Sequence, residues 1–248
     1  MQIIIDNVKQ FKTFFDVIYD MASELVELQL FPDRMVCSIL DRSRTRFYHV
    51  EYKDEFFDEY IIDEVSSITV FVEDFHKLLK ASNDKDTLII EINDPYLVAK
   101  IVSENGNSRL FEFVLPTDFI DSPNPPHLDL PTICECDVGE LKQAVKDIGL
   151  IGSDLFSFNV TDNGLVILTD KDLATRYANN IDVEFESSEN GTSNFNLEYI
   201  GQMLKFDKIS KTVMLKLGQD MPVLYAFKDE LMGVTVSGMI APKISEEE

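Results

Sequence analysis

Apolar residues recur at Val8, Phe11, Phe15, Ile18 and Ala22 within VKQFKTFFDVIYDMA, and at Val138, Leu141, Val145 and Ile148 within VGELKQAVKDI. Steps of three and four predict amphipathic helices over 8–22 and 138–148. Each is followed by alternating apolar and polar residues broken by a turn, LFPDRMVCSILD and NVTDNGLVILTD, which predicts a hairpin. A second helical pattern follows in each half, VEDFHKLLKASND at 72–84 and NLEYIGQMLKFD at 196–207, and then a strand, TLIIEI at 87–92 and TVMLKL at 212–217. The halves close with RLFEFVLP at 109–116 and VTVSGMIAP at 234–242.

Corresponding pieces lie between about 123 and 130 residues apart, so the chain reads as one unit written twice. The expected fold class is α+β, with two similar domains at 1–116 and 132–248. Between them TDFIDSPNPPHLDLP, 117–131, carries Pro123, Pro125, Pro126 and Pro131. That density excludes helix and central strand and predicts an extended linker. Two helices per half can cover only one face of a sheet, so the other face must meet solvent or a second sheet.

Composition narrows the chemistry. No run of 18 apolar residues is present, and MQIIIDNVKQF lacks a cationic segment leading into an apolar one, so neither a membrane span nor a signal peptide is expected. Cys37, Cys134 and Cys136 lack zinc-site spacing, alternation places Cys134 and Cys136 on one strand face, and buried or half-buried reduced thiols are expected. His49, His76 and His127 have no nucleophile pattern nearby, and no Gly-rich phosphate loop, GxSxG or HExxH motif occurs. Asp41, Asp170 and Asp172 fall at strand ends, where turn chemistry accounts for them. Asn190-Gly191-Thr192 fits a glycosylation sequon without a secretory signal beside it. No catalytic residue, metal ligand or cofactor is expected.

The charge pattern is less uniform than its sum. The net charge is −23, yet each predicted helix carries two lysines on one side: Lys9 and Lys12, Lys77 and Lys80, Lys142 and Lys146, Lys205 and Lys208. Such pairs are either ordinary solvated helix faces or one surface built to face a polyanion. Asp16, four residues after Lys12, and Glu198 interrupt the basic faces.

Several segments resemble the archaeal-type proliferating cell nuclear antigen family of DNA sliding clamps along essentially the whole chain. They are Leu40-Asp41-Arg42-Ser43-Arg44, Phe57-Asp58-Glu59-Tyr60, Lys77-Leu78-Leu79-Lys80, Gly218-Gln219-Asp220-Met221-Pro222 and Ile240-Ala241-Pro242-Lys243-Ile244 with its acidic tail. The resemblance implies a DNA-clamp fold with antiparallel sheets outside and two helices inside each domain, three subunits closing a homotrimeric ring. It implies a replication processivity factor, not an enzyme, that encircles double-stranded DNA without sequence preference and tethers DNA polymerase. The DNA-facing residues would be the eight lysines just named. The partner-peptide pocket would be walled by Leu40, Arg44, Thr45, Phe47, Leu128, Leu130, Pro131, Pro222, Met239, Ala241 and Pro242. Its ligand would be a glutamine, an aliphatic residue and two aromatics. The sequence departs from the family pattern at Met239 and Thr45 in that pocket and at Glu198 on the inner surface.

Subunits would join through Arg109, Leu110, Phe111 and Phe113 of one copy and Leu173, Thr175, Arg176 and Tyr177 of the next. Arg109 and Arg176 would face acids such as Glu112, Asp182 or Glu184. A clamp loader, flap endonuclease and DNA ligase are the further partners implied, with no membrane. The implied location is cytoplasmic and nucleoid-associated, in an archaeal-type or viral setting. The alternative is a divergent or viral paralogue that forms one subunit of a heterotrimer or serves a dedicated polymerase. A DNA-modifying enzyme on a duplicated fold would need a convergent acid–base or metal set, which the sequence does not provide.

Overall fold

The computed structural model describes residues 1–243 apart from 7, 22–23, 118–119, 121 and 171–174, and for Asp170 and Ser187 the backbone alone. Ala22, Asp172, Leu173, Ile244 and the acidic tail, all singled out by the sequence, therefore lie outside the described residues. The first half runs β1 (Gln2–Ile5), α1 (Val8–Tyr19), β2 (Leu25–Phe31), β3 (Arg34–Leu40), β4 (Arg46–Lys53), β5 (Glu59–Ile61), β6 (Ser66–Phe71), α2 (Val72–Ala81), β7 (Thr87–Asn93), β8 (Tyr96–Val102) and β9 (Ser108–Val114). The second runs β10 (Thr132–Asp137), α3 (Val138–Leu150), β11 (Leu155–Thr161), β12 (Gly164–Asp170), β13 (Arg176–Ile181), β14 (Glu184–Ser187), β15 (Gly191–Asn196), α4 (Leu197–Met203), β16 (Thr212–Leu217), β17 (Val223–Asp229) and β18 (Val234–Ile240).

The repetition extends to strand order. One five-strand order is β5-β1-β7-β8-β9, and its counterpart is β14-β10-β16-β17-β18. One four-strand order is β4-β3-β2-β6, and its counterpart is β13-β12-β11-β15. Registers repeat as well: Leu25 faces Phe71 in β2 and β6, and Leu155 faces Asn196 in β11 and β15. The architecture is thus the expected α+β duplication. Contacts group the chain into two compact units, one of Met1–Arg42, Tyr48–Pro125 and Lys228–Val236, the other of Ser43–Phe47, Pro126–Phe227 and Ser237–Glu248.

In the first unit α1 and α2 pack through aromatic rings. Phe15 and Phe75 lie 4.8 Å apart between centroids, and Phe11 meets Phe75 edge-on at 6.2 Å. Burial of Phe11, Phe14, Phe15 and Ile18 supplies the free energy that a 12-residue helix lacks in isolation. Helix α2 ends at Ala81, earlier than predicted, because Ser82 Oγ donates to Leu79 O at 2.6 Å and diverts that carbonyl. In the second unit Asp137 caps α3 by accepting from Glu140 N–H at 3.0 Å, and Asn196 caps α4 by accepting from Glu198 N–H at 2.8 Å.

The fourth helix departs from its expected span. It is α-helical only to Met203, and Leu204–Lys208 forms a 3-10 helix. Such tightening is common at helix C-termini. With three residues per turn, Lys205 and Lys208 still project from the same side. All three thiols are buried, and Cys134 and Cys136 share one face of β10 opposite Leu215 and Val213. Burial, reinforced by Glu27, pushes the Cys37 thiol up; a hydrogen bond with Cys134, together with burial, raises Cys136. Among the described residues no helix is long and apolar enough to cross a membrane.

A close approach in the second unit tests this packing. A Cβ on Gly238 would lie 2.2 Å from Tyr225 Oη and 2.4 Å from Phe47 O, so β18 can pass β4 there only without a side chain. Gly238→Ala is expected to cost about 3 kcal/mol through overpacking. Calorimetry should then show Tm falling by roughly 6–12 °C.

Candidate functional site

The lysine pairs fall on the helices as the sequence places them, six on α1, α2 and α3 and the last two on the 3-10 segment. Lys12 is half-buried, and Lys9, Lys77, Lys80, Lys142, Lys146, Lys205 and Lys208 are exposed. Their charges are not equally available. Lys77 Nζ sits 2.6 Å from Glu73 Oε1 one turn back, and that hydrogen bond holds the Glu73 carboxyl below its usual range. Lys142 Nζ lies 2.7 Å from Asp207 Oδ2, which also meets Lys211 at 3.7 Å. Lys80 Nζ stands 6.0 Å from the centre of the Tyr19 ring.

Asp16, the interruption noted on α1, has a structural partner. His76, buried at 4% exposure, approaches Asp16 Oδ1 with Nε2 at 3.0 Å and stacks on Tyr19 with centroids 4.1 Å apart. The pair links α1 to α2, a role that a scan along either helix does not reveal.

Most residues proposed for the partner pocket belong to the second unit, and Leu40 belongs to the first. Within the second unit Ala241 N–H donates to Thr45 O at 2.8 Å, which joins the strand after the front loop to the chain's closing segment. Arg44 sits beside it with φ 57°, in the left-handed region, and is exposed. Leu130 is buried at 7%, Phe47 at 2%, and Leu128, Thr45, Pro222, Met239, Ala241 and Pro242 are half-buried. Pro131 is exposed, with its ring against the Gly218–Met221 turn. Lys243 ties the end of this segment down through its N–H to Asn194 O at 2.6 Å and its ammonium to Asp154 at 3.0 Å.

Among the described residues proposed for subunit contact, Arg109, Leu110, Phe111 and Phe113 sit on β9, Arg176 and Tyr177 on β13, and Thr175 just before it. β9 and β13 each form one edge of their sheet. Leu110 and Val114 of β9 are 67% and 65% exposed, Phe111, Phe113, Thr175 and Tyr177 are half-buried, and Arg176 is exposed. Arg109 is already held inside its own unit, with Nη2 2.7 Å from Ala81 O and 3.4 Å from Asp86 Oδ2. Asp86 is not among the acids the sequence suggests for it, and the second acceptor is the Ala81 carbonyl at the end of α2.

Sequence reasoning also missed Arg46. This cation is buried at 8%, lies 4.3 Å above the Tyr199 ring and donates through Nη1 to Gln202 Oε1. The available signal was a short internal echo, Thr45-Arg46-Phe47 and Thr175-Arg176-Tyr177, at an offset of 130.

Comparison with known proteins gives the same reading over nearly the full length. Residues 3–122 match the family model described as "Proliferating cell nuclear antigen, N-terminal domain". The "DNA polymerase sliding clamp" of Methanothermobacter thermautotrophicus is 30% identical over 241 residues, covering 96% of this chain and 95% of that protein. The "Proliferating cell nuclear antigen" of Caenorhabditis elegans is 24% identical over 268 residues, covering 99% and 94%. Two solved structures share the fold: the antigen from Entamoeba histolytica, at TM-score 0.83, 20% identity and 98% of each chain, and a PCNA2–PCNA3 complex from Sulfolobus tokodaii, at TM-score 0.85, 21% identity, 98% of this chain and 99% of that chain. Full-length similarity at this level, on a duplicated clamp topology, makes this chain a member of the proliferating cell nuclear antigen family of DNA sliding clamps.

Proposed function

We infer that this chain is a subunit of a DNA sliding clamp, a processivity factor that associates with DNA and DNA polymerase and performs no chemistry of its own. The observation that carries this is the 30% identity to a DNA polymerase sliding clamp over 96% of the chain.

The internal repeat supports one way for copies to close. In the second unit the end of β18 bonds to the start of β4 through Ala241 and Thr45, and in the first unit Lys53 N–H donates to Gly233 O at 2.9 Å. The counterparts of β18 and β4 are β9 and β13, and both are edges. An edge strand with exposed apolar side chains is a template for another chain. Pairing β9 of one copy with β13 of the next is a head-to-tail contact, and three such contacts close a ring. The helices α1 to α4 would then face the enclosed duplex, with Lys9, Lys12, Lys77, Lys80, Lys142, Lys146, Lys205 and Lys208 meeting phosphates. Phosphate contacts carry no base information and exchange readily, which suits a ring that must slide. The acidic balance on other surfaces repels DNA from outside the ring.

Clients would attach at Leu40, Arg44, Thr45, Phe47, Leu128, Leu130, Pro131, Pro222, Met239, Ala241 and Pro242. Half-buried apolar groups beside a backbone rim suit an aromatic anchor from a client peptide. Met239 adapts to rings of different shape. Flap endonuclease and DNA ligase are proposed as clients, and an ATP-driven loader as the factor that opens the ring. The setting proposed is the nucleoid of an archaeal-type cell or a viral replication system. Leu128→Ala is expected to weaken a peptide with glutamine, an aliphatic residue and two aromatics by about tenfold in fluorescence anisotropy. Assembly by light scattering should not change. Unaltered peptide affinity would remove Leu128 from the pocket.

A further inference from the structure

The internal repeat equates residues one by one where registers are fixed. β3 and β12 begin at Arg34 and Gly164, 130 apart, and the same interval separates Arg46 from Arg176 at the starts of β4 and β13. β6 and β15 end at Phe71 and Asn196, 125 apart, and each runs directly into its helix. On that scale Tyr199 of α4 corresponds to Asp74 of α2. Within the second unit Arg46 is buried over Tyr199. The counterpart of Arg46, Arg176, is exposed, and the counterpart of Tyr199, Asp74, is exposed too.

Asp74 stands at an apolar recess in the first unit, lined among others by Phe71, Phe75, Leu97, Phe113 and Leu115. Phe71 is 38% exposed, and Val114 at the same recess 65%. The recess adjoins β9, the edge already assigned to contact between copies. Glu73 and Asp74 against Lys77 leave the start of α2 with an excess of negative charge, and Glu73 already holds Lys77 at 2.6 Å.

We propose that the recess is the seat of a second copy of this chain, whose Arg176 lies across the exposed Phe71 and pairs with Asp74. The arrangement reproduces Arg46 on Tyr199 with two changes of chemistry: Asp74 stands for Tyr199, and Lys77, already held by Glu73, stands for Gln202. A guanidinium held within the chain by a ring and an amide is held between copies by a carboxylate. Arg is suited to both, since it stacks on aromatic faces and forks onto carboxylates. The substitution also selects register: a β13 strand slipped by one residue would present Tyr177 to Asp74 and turn its side-chain pattern over. The proposal rests on the ring reading above and deepens it by naming the recognition pair.

The test is charge reversal in the full chain, read as assembly against concentration by light scattering. D74R and R176D are each expected to raise the concentration for half-assembly at least about tenfold, because each opposes like charges at a partly desolvated contact. The double variant D74R/R176D, which restores opposite charges, is expected to return close to wild type. A wild-type trimer in which the double variant assembles no better than the singles would overturn the pairing and leave the ring reading intact. A wild type that stays monomeric at every concentration would overturn both. Singles that assemble normally yet lose a client peptide would assign the recess to that peptide instead and overturn the proposal.

Discussion

Glu112→Pro is expected to convert the ring to monomers while leaving the subunit folded. Leu115 N–H donates to Pro95 O at 2.8 Å, so in β9 the backbone groups of residues 115 and 113 point to β8. Alternation then points the backbone groups of Glu112 away from β8, toward the open edge. Proline there keeps the internal ladder, since a fixed φ near −65° is tolerated on an edge strand. It removes an outward donor and places a ring where the incoming strand must bond. A buried acceptor left unpaired, repeated at each contact, shifts assembly by about 100-fold in concentration. Light scattering should read near 28.3 kDa where wild type reads about three times that mass. Far-UV circular dichroism should match wild type, and Glu112→Gln should assemble normally. A trimer that survives proline at this position would move the contact between copies away from β9.

The second large effect separates lysines by their neighbours. Lys77 and Lys142 are each drawn to an acid, at 2.6 and 2.7 Å, whereas Lys80 Nζ stands 6.0 Å from the centre of the Tyr19 ring. Removing Lys77 or Lys142 also releases Glu73 or Asp207, so potential at the helix face falls in both pairs of variants, but phosphate contacts are lost chiefly in one. Lys80→Ala with Lys146→Ala is expected to lower the slope of log affinity against log salt by about 0.9 for each phosphate contact removed. Lys77→Ala with Lys142→Ala should change that slope less. Processive synthesis at moderate salt should follow the same order, with roughly tenfold loss in the first variant. Equal slopes for both variants and wild type would mean that the helix lysines do not face the duplex.

Legibility differed between levels of structure. The duplication was readable because helix and strand periods survive sequence drift: Phe11 and Leu141, or Leu88 and Val213, keep their buried places although the residue types changed. Helix ends were less readable, because they depend on single local bonds such as Ser82 Oγ to Leu79 O and on the tightening at Leu204–Lys208. The charged surface was readable only as positions. Which lysines keep their charge available depends on Glu73, one turn away, and on Asp207, which reaches Lys142 from another element. His76 looked like an isolated helix histidine until packing of α1 on α2 brought Asp16 to it. The burial of Arg46, which follows the exposed Arg42-Ser43-Arg44, depends on Tyr199 and Gln202 more than 150 positions away, so no local pattern announces it. The echo with Arg176 was present in the sequence, but only the registers give it meaning.

The central claim is that this protein holds DNA by enclosure and not by adhesion. The direct measurement is retention on a nicked circular plasmid after loading by a clamp-loader ATPase, followed by cutting the circle once with a restriction enzyme. Enclosure predicts that protein stays on the circle through gel filtration at moderate salt and is lost when the DNA is made linear, because the ring slides off the ends. Equal retention on circular and linear DNA, or none on either, would contradict the account.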